Sequence, residues 1–488
     1  MRFGRGVQVA VLAILLAGVA APANAGGHGP AVRAWLTTGD QVNLLSDRTD
    51  LVQKADASAP AITIDPSKSY QTVAGFGASI TDSSAYLLMR SPRRDAVMRD
   101  LFDPKHGLGL SYLRQPMGAS DFVAGDHYTY DDMPAGQSDY RLRHFSIDHD
   151  RAAILPLLRQ ARALNPALKV MATPWSPPAW MKTNDSLVGG RFRDDDRVYK
   201  AYAEYFVRFI RAYEKAGVPI DAITLQNEPQ NRNPSGYPGM DLRPNEEARL
   251  AGLVADRLHA AGRHTKILAY DHNWALHPND VGPPDDPADP EYAMSVMNAA
   301  GRSFAGTAYH CYFGDPSRQA PMHDAYPRKD IYFTECSGSV SQNPATTFPD
   351  TLHWQTANLT VGAMRNWAKT VITWNLALDP SGGPHNGGCG TCFGVVTIDP
   401  AAGTVTRTAD YYVLGHATTF VRPGAVRIDS TTAGTIADVA FRNPDGSIAV
   451  IAVNDDWGTG SQKFTVRKGG TAFSYELPAG AVVTFTLR

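Results

Sequence analysis

Eight short apolar runs, bounded by turn residues, organise most of this chain. They are Val73–Phe76, Leu108–Leu113, Leu168–Thr173, Ala222–Leu225, Ile267–Tyr270, Thr307–His310, Ile331–Thr334 and Val371–Trp374. Each is rich in Val, Ile, Leu or Tyr, as parallel strands buried on both faces are. Helical periods lie between them. Arg197 to Ala216 sets Tyr199, Tyr202, Phe206, Phe209, Ile210 and Tyr213 mostly on one face, after the acidic Asp194–Asp196 and before Gly217. That aromatic stripe reads as core. Asn245 to Ala261 repeats the pattern with Leu250, Leu253, Val254 and Leu258 inward, Asn245 as cap and Gly262 as stop. Eight strand–helix alternations over residues 67–415 predict a (β/α)8 barrel. A doubly wound open sheet is the competing architecture, but no GxGxxG follows a strand.

The pattern changes at both ends. Residues 416–488 alternate in strand fashion, and Asn443-Pro444-Asp445-Gly446 reads as a hairpin turn. This predicts a small antiparallel β-sandwich. Residues 26–66 are extended and polar, with Gln41–Leu45 as the expected strand, and are expected to join the same β domain. Residues 1–25 have the layout of a cleaved secretion signal. Arg2 and Arg5 precede the apolar Val7–Ala20, and Ala23-Asn24-Ala25 is a small-residue cleavage site. No other segment is apolar enough to span a bilayer. The formal charge of −2 becomes about −4 without Arg2 and Arg5. No basic block appears, which argues against nucleic acid as a partner.

Export permits disulfides. Cys389 and Cys392, in the Gly-rich loop 387–392, are expected to close a small loop. A redox or zinc site is the weaker reading, since no second Cys or His pair at ligand spacing accompanies them. Cys311 and Cys336 each follow a predicted strand and are candidates to bridge neighbouring strands. No cofactor or metal is expected.

In a barrel, the chemistry sits where strands exit into the following loops. Two of the apolar runs exit onto a glutamate, in Leu225-Gln226-Asn227-Glu228-Pro229 and Tyr332-Phe333-Thr334-Glu335-Cys336. A carboxylate there is costly without partners or work. Paired carboxylates are what cleavage of a glycosidic bond requires. Other strand exits carry Arg114, Asp121, Trp175, Trp180, Asn227, His310, Tyr312, Trp374 and Asn375. Arg114 and Tyr312 are expected beside Glu335, keeping it ionised and oriented, and the tryptophans suit stacking on sugar rings. Taken singly, each has a plainer explanation: a solvated glutamate, a core histidine, a buried ion pair, a packed loop. Together, at one end of the strands, they have no common packing explanation.

Several strings resemble glycoside hydrolase family 30. Gln71–Asp82 is similar to its opening barrel strand, Pro116–Phe122 to its second loop and Thr173–Asn184 to its third. Asn227-Glu228-Pro229, Thr334-Glu335-Cys336 and Trp374–Leu378 resemble its acid/base, nucleophile and last-strand segments. The resemblance implies a (β/α)8 barrel with a side β domain and a secreted retaining β-glucosidase of the glucosylceramidase type. It implies Glu228 as acid/base, Glu335 as nucleophile, and Asp121, Trp175, Asn227 and Trp374 around the bound sugar. Tyr237, His310 and Tyr312 also fall on family positions near the pocket. The loop Gly382–Cys389 departs from the glucosylceramidase loop and looks more like bacterial relatives and the β-1,6-glucanase branch. The expected partner is accordingly a β-glucoside, glucosylceramide or a β-glucan. An endo-β-1,6-glucanase is the alternative within enzymes, and a non-catalytic carbohydrate-binding barrel the alternative outside them.

Overall fold

A computed structural model describes residues 32–458 and 460–487. The predicted secretion signal lies outside the described residues. Eight parallel strands close into a barrel: β1 (Gly75–Ser79), β2 (Tyr112–Pro116), β3 (Lys169–Thr173), β4 (Ala222–Thr224), β5 (Lys266–Asn273), β6 (Gly306–His310), β7 (Asp330–Glu335) and β8 (Ala368–Asn375). β8 pairs with β1, which completes the ring and removes the open sheet from consideration. Closure is tight at Gly77, where a Cβ would lie 1.8 Å from the Tyr112 carbonyl oxygen.

Every expected run overlaps a barrel strand, with shifted ends. Leu108–Ser111 precedes β2 rather than belonging to it, and β5 and β8 run longer than expected. The aromatic helix spans Asp196–Lys215 and buries Tyr199, Tyr202, Phe206, Phe209, Ile210 and Tyr213 as core. The second helix spans Pro244–Ala260. Its cap is Arg243, two residues before the expected Asn245, and the Arg243 amide donates to Glu246 Oε2 at 2.8 Å. A proline at the first helical position leaves no amide there to satisfy.

The barrel interior is layered. Tyr112, Met171, Ala222, Leu268, Ala308, Tyr332 and Ile372 form one apolar layer, a residue from each of seven strands. Side chains alternate along a strand, so the next inward position is two residues further on. That step gives Arg114, Thr173, Thr224, His310, Thr334 and Trp374, nearly all polar and all buried. On β5 the step would give Tyr270, but a bulge intervenes. Tyr270 pairs with Ala308 and His272 with Tyr309, leaving Asp271 as the extra residue. Tyr270 and Asp271 both have left-handed φ, 78° and 58°. The bulge aims Asp271 into the barrel.

A separate large sheet builds a β domain from both ends of the described chain. Its ten-stranded sheet contains Val32–Thr37, Ser46–Asp47, Gln53–Lys54 and Ala61–Thr72 beside six C-terminal strands. Gln41–Leu45, expected as a strand, is turn and bend; the strand there is Val32–Thr37, whose alternation buries Ala34 and Leu36. Pairing is antiparallel except where Gln462–Lys468 runs parallel to Ala61–Thr63. The hairpin turn at 443–446 forms as expected, with the Gly446 amide donating to the Asn443 carbonyl at 3.0 Å. No helix among the described residues is long and apolar enough to cross a membrane.

Candidate active site

Glu228 and Glu335 meet at the C-terminal mouth of the barrel. One oxygen of each, and a ring nitrogen of His310, lie within 4.8 Å of one another. A cavity of about 370 Å³ opens onto them, lined by Asp121, Trp175, Asn227, Tyr237, Tyr312 and Trp374 among others. Every candidate carried by the resemblance lines the cavity except His310, which with Arg114 lies beneath it.

The layer below holds the two carboxylates in place. Arg114 is fully buried. Its Nη1 donates to Glu335 Oε2, and its Nη2 donates to Asn227 Oδ1 and Asp271 Oδ2, both at 2.8 Å. The guanidinium lies 4.8 Å from the Trp175 ring centroid and 5.5 Å from that of Trp374. Those two indoles stack at 4.9 Å. Tyr312 donates its hydroxyl to Glu335 Oε1 at 2.9 Å, so each oxygen of Glu335 has its own donor.

Glu228 is held differently. His310 Nδ1 lies 3.2 Å from Glu228 Oε1, and its Nε2 lies 3.0 Å from Asp271 Oδ1. Asn231 donates to Glu228 Oε2 at 3.1 Å and to the Tyr237 hydroxyl at 2.8 Å. Glu228 itself is left-handed, with φ 46°, and its amide donates to the carbonyl of Asp271 at 3.0 Å. Non-glycine residues seldom adopt this backbone. The β5 bulge thus fixes both the carboxylate network and the backbone of Glu228.

Asp271 was not among the expected site residues, yet it is the hub. Besides Arg114 and His310, the hydroxyls of Thr224 and Thr334 donate to it at 2.8 and 2.6 Å. Burial pushes its carboxyl up, but Arg114 and His310 outweigh burial and hold it well below the ordinary range. Burial likewise pushes Glu228 up, and the His310 hydrogen bond with the His272 and His310 charges hold it at about 2. His310 is lowered by burial but raised by Glu335, Asp271 and Glu228 to about 9. Glu228 and His310 therefore hold one proton between them, resting on His310. Burial raises Glu335 above the ordinary carboxylate range, against the pull of His310, Arg114 and Tyr312. Asp121 is raised well above the ordinary carboxylate range, first by burial and then by the charges of Glu335 and Glu228.

Trp180 and Asn375 do not line the cavity. The Trp180 indole donates to the carbonyl and carboxylate of Asp131, both at 3.1 Å, and packs its loop. Asn375 is buried and accepts from Thr81 at 2.8 Å. Both expected disulfides form. Cys311–Cys336 joins the residues that follow His310 and Glu335, and Cys389–Cys392 lies on the cavity wall. Gly388, beside it, has φ 70° and packs so closely on Asp121 that a Cβ would lie 2.4 Å from its carboxylate. The spacing of Glu228, His310 and Glu335 would suit an ion, but Arg114 and His310 already supply cationic partners to both carboxylates.

Residues 73–421 match the glycosyl hydrolase family 30 TIM-barrel domain, and residues 424–485 match that family's beta sandwich domain. The chain belongs to glycosyl hydrolase family 30. It is a glycoside hydrolase, and its substrates are glycans. Among family 30 relatives, an endo-1,6-beta-D-glucanase of Neurospora crassa is 34% identical over 444 residues, covering 87% of this chain and 88% of the relative. The lysosomal acid glucosylceramidase of Mus musculus is 28% identical over 421 residues, covering 80% and 77%. Among solved structures, the endo-beta1,6-glucanase BT3312 superimposes with TM-score 0.81 at 34% identity, covering 93% of this chain and 99% of that one.

Proposed function

We propose that this family 30 enzyme is an exported, retaining endo-β-1,6-glucanase. The observation that carries the stereochemistry is the spacing of the two carboxylates, with oxygens within 4.8 Å. Retaining enzymes place the pair about 5–5.5 Å apart, whereas inverting ones leave roughly 6.5–9.5 Å for a water. The linkage is supported by the relatives. The endo-1,6-glucanases match at higher identity and over more of the chain than the mouse glucosylceramidase does. The glucosylceramidase type, expected first from the strings above, is therefore the second choice. Export rests on the composition of residues 1–25.

Glu335 is the nucleophile. Donors on both its oxygens aim it and pull against the burial that raises its pKa. It attacks the anomeric carbon while the proton held between His310 and Glu228 passes through Glu228 to the glycosidic oxygen, which leaves with the departing sugar and leaves His310 neutral. A proton source lies next to Glu228, because His310 stays charged up to about pH 9 and faces Oε1 at 3.2 Å. In the second half, Glu228 takes a proton from water. The oxygen of that water bonds to the anomeric carbon and frees Glu335. Trp175 and Trp374 offer ring faces to the sugar, and Asn227 offers an amide to a hydroxyl.

A substrate panel with product analysis tests this reading. β-1,6-Linked glucan should yield short oligomers early, ahead of free glucose. Release of glucose from glucosylceramide with β-1,6-glucan untouched would replace it with the glucosylceramidase reading. Binding without turnover of any β-glucoside would favour a carbohydrate-binding barrel.

A further inference from the structure

A second cavity, of about 410 Å³, opens on the other side of Glu228. Glu228, Ser235, Tyr237 and Tyr312 line both cavities, so the two are lobes of one cleft. In the proposed reaction Glu228 protonates the oxygen that joins the cleaved sugar to what departs. The cleaved sugar belongs in the main lobe, over Glu335 and between Asp121 and the two tryptophans. The departing group must then extend from the proton donor into the second lobe.

The walls of that lobe are polar throughout. Apart from Pro234 and the phenol rings, every side chain that lines it carries an amide, imidazole, hydroxyl or carboxylate, and no aliphatic side chain does so among the described residues. Asn233 and Asn279 stand exposed on its rim. Asn273 uses its Oδ1 to accept the Tyr312 amide at 3.0 Å. His272 is buried, with Nε2 3.2 Å from Asp280 Oδ2 and Nδ1 without a partner among the described residues. A hydroxylated ring can exchange water for hydrogen bonds on such walls. An alkyl chain would strip water from the amides and return nothing. Apolar walls exist nearby, where Trp274, Met294 and Met322 line a cavity of about 350 Å³, but that cavity shares no lining residue with either lobe.

We infer that the second lobe is the leaving-group subsite and that it is built for a sugar, with Asn233 and Asn279 contacting its hydroxyls. The inference rests on the glycosidase reading with Glu228 as proton donor. It goes further in assigning specificity for the departing group to residues outside the main cavity.

The test compares the full chain with the double variant Asn233→Ala, Asn279→Ala, whose fold is checked by thermal unfolding. kcat/KM is measured on a β-1,6-linked glucose oligomer and on 4-nitrophenyl β-glucoside, whose flat leaving group has no hydroxyls to contact. Transfer of glucose from the aryl glucoside to an added β-1,6-linked disaccharide is measured against hydrolysis. The variant should lose at least about tenfold more on the oligomer than on the aryl glucoside, and its transfer-to-hydrolysis ratio should fall. Equal losses on the two substrates, no loss on either, or an unchanged transfer ratio would overturn the subsite while leaving the glycosidase reading intact. A parent enzyme that cleaves neither substrate would overturn the glycosidase reading first, and the subsite with it.

Discussion

Asp271→Asn removes one charge from the centre of the site while leaving the side chain's shape nearly unchanged. Four donors converge on that carboxylate: Arg114, His310, Thr224 and Thr334. An asparagine keeps one acceptor oxygen and turns an NH2 toward donors that need an acceptor. Arg114 and Asp271 are both wholly buried. Removing one partner of a buried pair costs about 3–5 kcal/mol, so urea unfolding should register a loss of that size. The second consequence is on pH. The folded pKa of His310, about 9, stands above its ordinary 6.5. The stabilisation this represents, about 3 kcal/mol, is fully present below 6.5 and lost as pH rises through 9. Asp271 raises His310 both by charge and by hydrogen bond. Loss of a neighbouring charge moves a pKa by about 1–3 units. In the variant, the basic limb of kcat/KM on an aryl β-glucoside should therefore move down by that amount. A variant within about 1 kcal/mol of the parent, with an unmoved basic limb, would refute the claim that Asp271 organises the site.

Two further perturbations probe the supports of Glu335. Tyr312→Phe deletes a charge-assisted donor, a loss of about 1.5–3 kcal/mol, or roughly ten- to hundredfold in kcat/KM. Because the Tyr312 hydroxyl pulls the Glu335 pKa down, the acid limb of the profile should move to higher pH; a shift the other way contradicts the assignment. Replacing Cys311 and Cys336 together by Ser removes a link across 25 residues of sequence. The variant should unfold with about 3 kcal/mol less stability in denaturant titration, and an unchanged midpoint would count against a stabilising role.

The barrel was legible because its strands are buried on both faces, so they appear as apolar runs whatever their exact ends. Glu228 and Glu335 were legible because two such runs exit onto a carboxylate and the other strand exits carry polar and aromatic residues beside them. Asp271 was not. It lies within the tail of β5, and strict alternation would turn Tyr270 inward. A single extra residue in left-handed backbone reverses that order, and no local residue pattern in Tyr270-Asp271-His272-Asn273 announces it. Asn231 escaped for a related reason. It lies in a loop and acts only because the left-handed Glu228 bends the chain back. Trp180 erred in the other direction: its place after β3 matched that of Trp175, but its indole satisfies Asp131 instead of facing the cavity. The strand at Val32–Thr37 and the segment Gln41–Leu45 are similarly apolar, and pairing with Val482–Leu487 decides where the strand forms.

The central claim is that Glu335 bonds to the sugar during turnover. A glucoside with fluorine at C2 and a good leaving group slows breakdown of the covalent intermediate more than its formation. After brief incubation and proteolysis, mass spectrometry should find one fluoroglucosyl group on the peptide that contains Glu335, and none on the same peptide from Glu335→Gln. A label on the Glu228 peptide, or no label despite steady hydrolysis of the unfluorinated glucoside, would contradict the account.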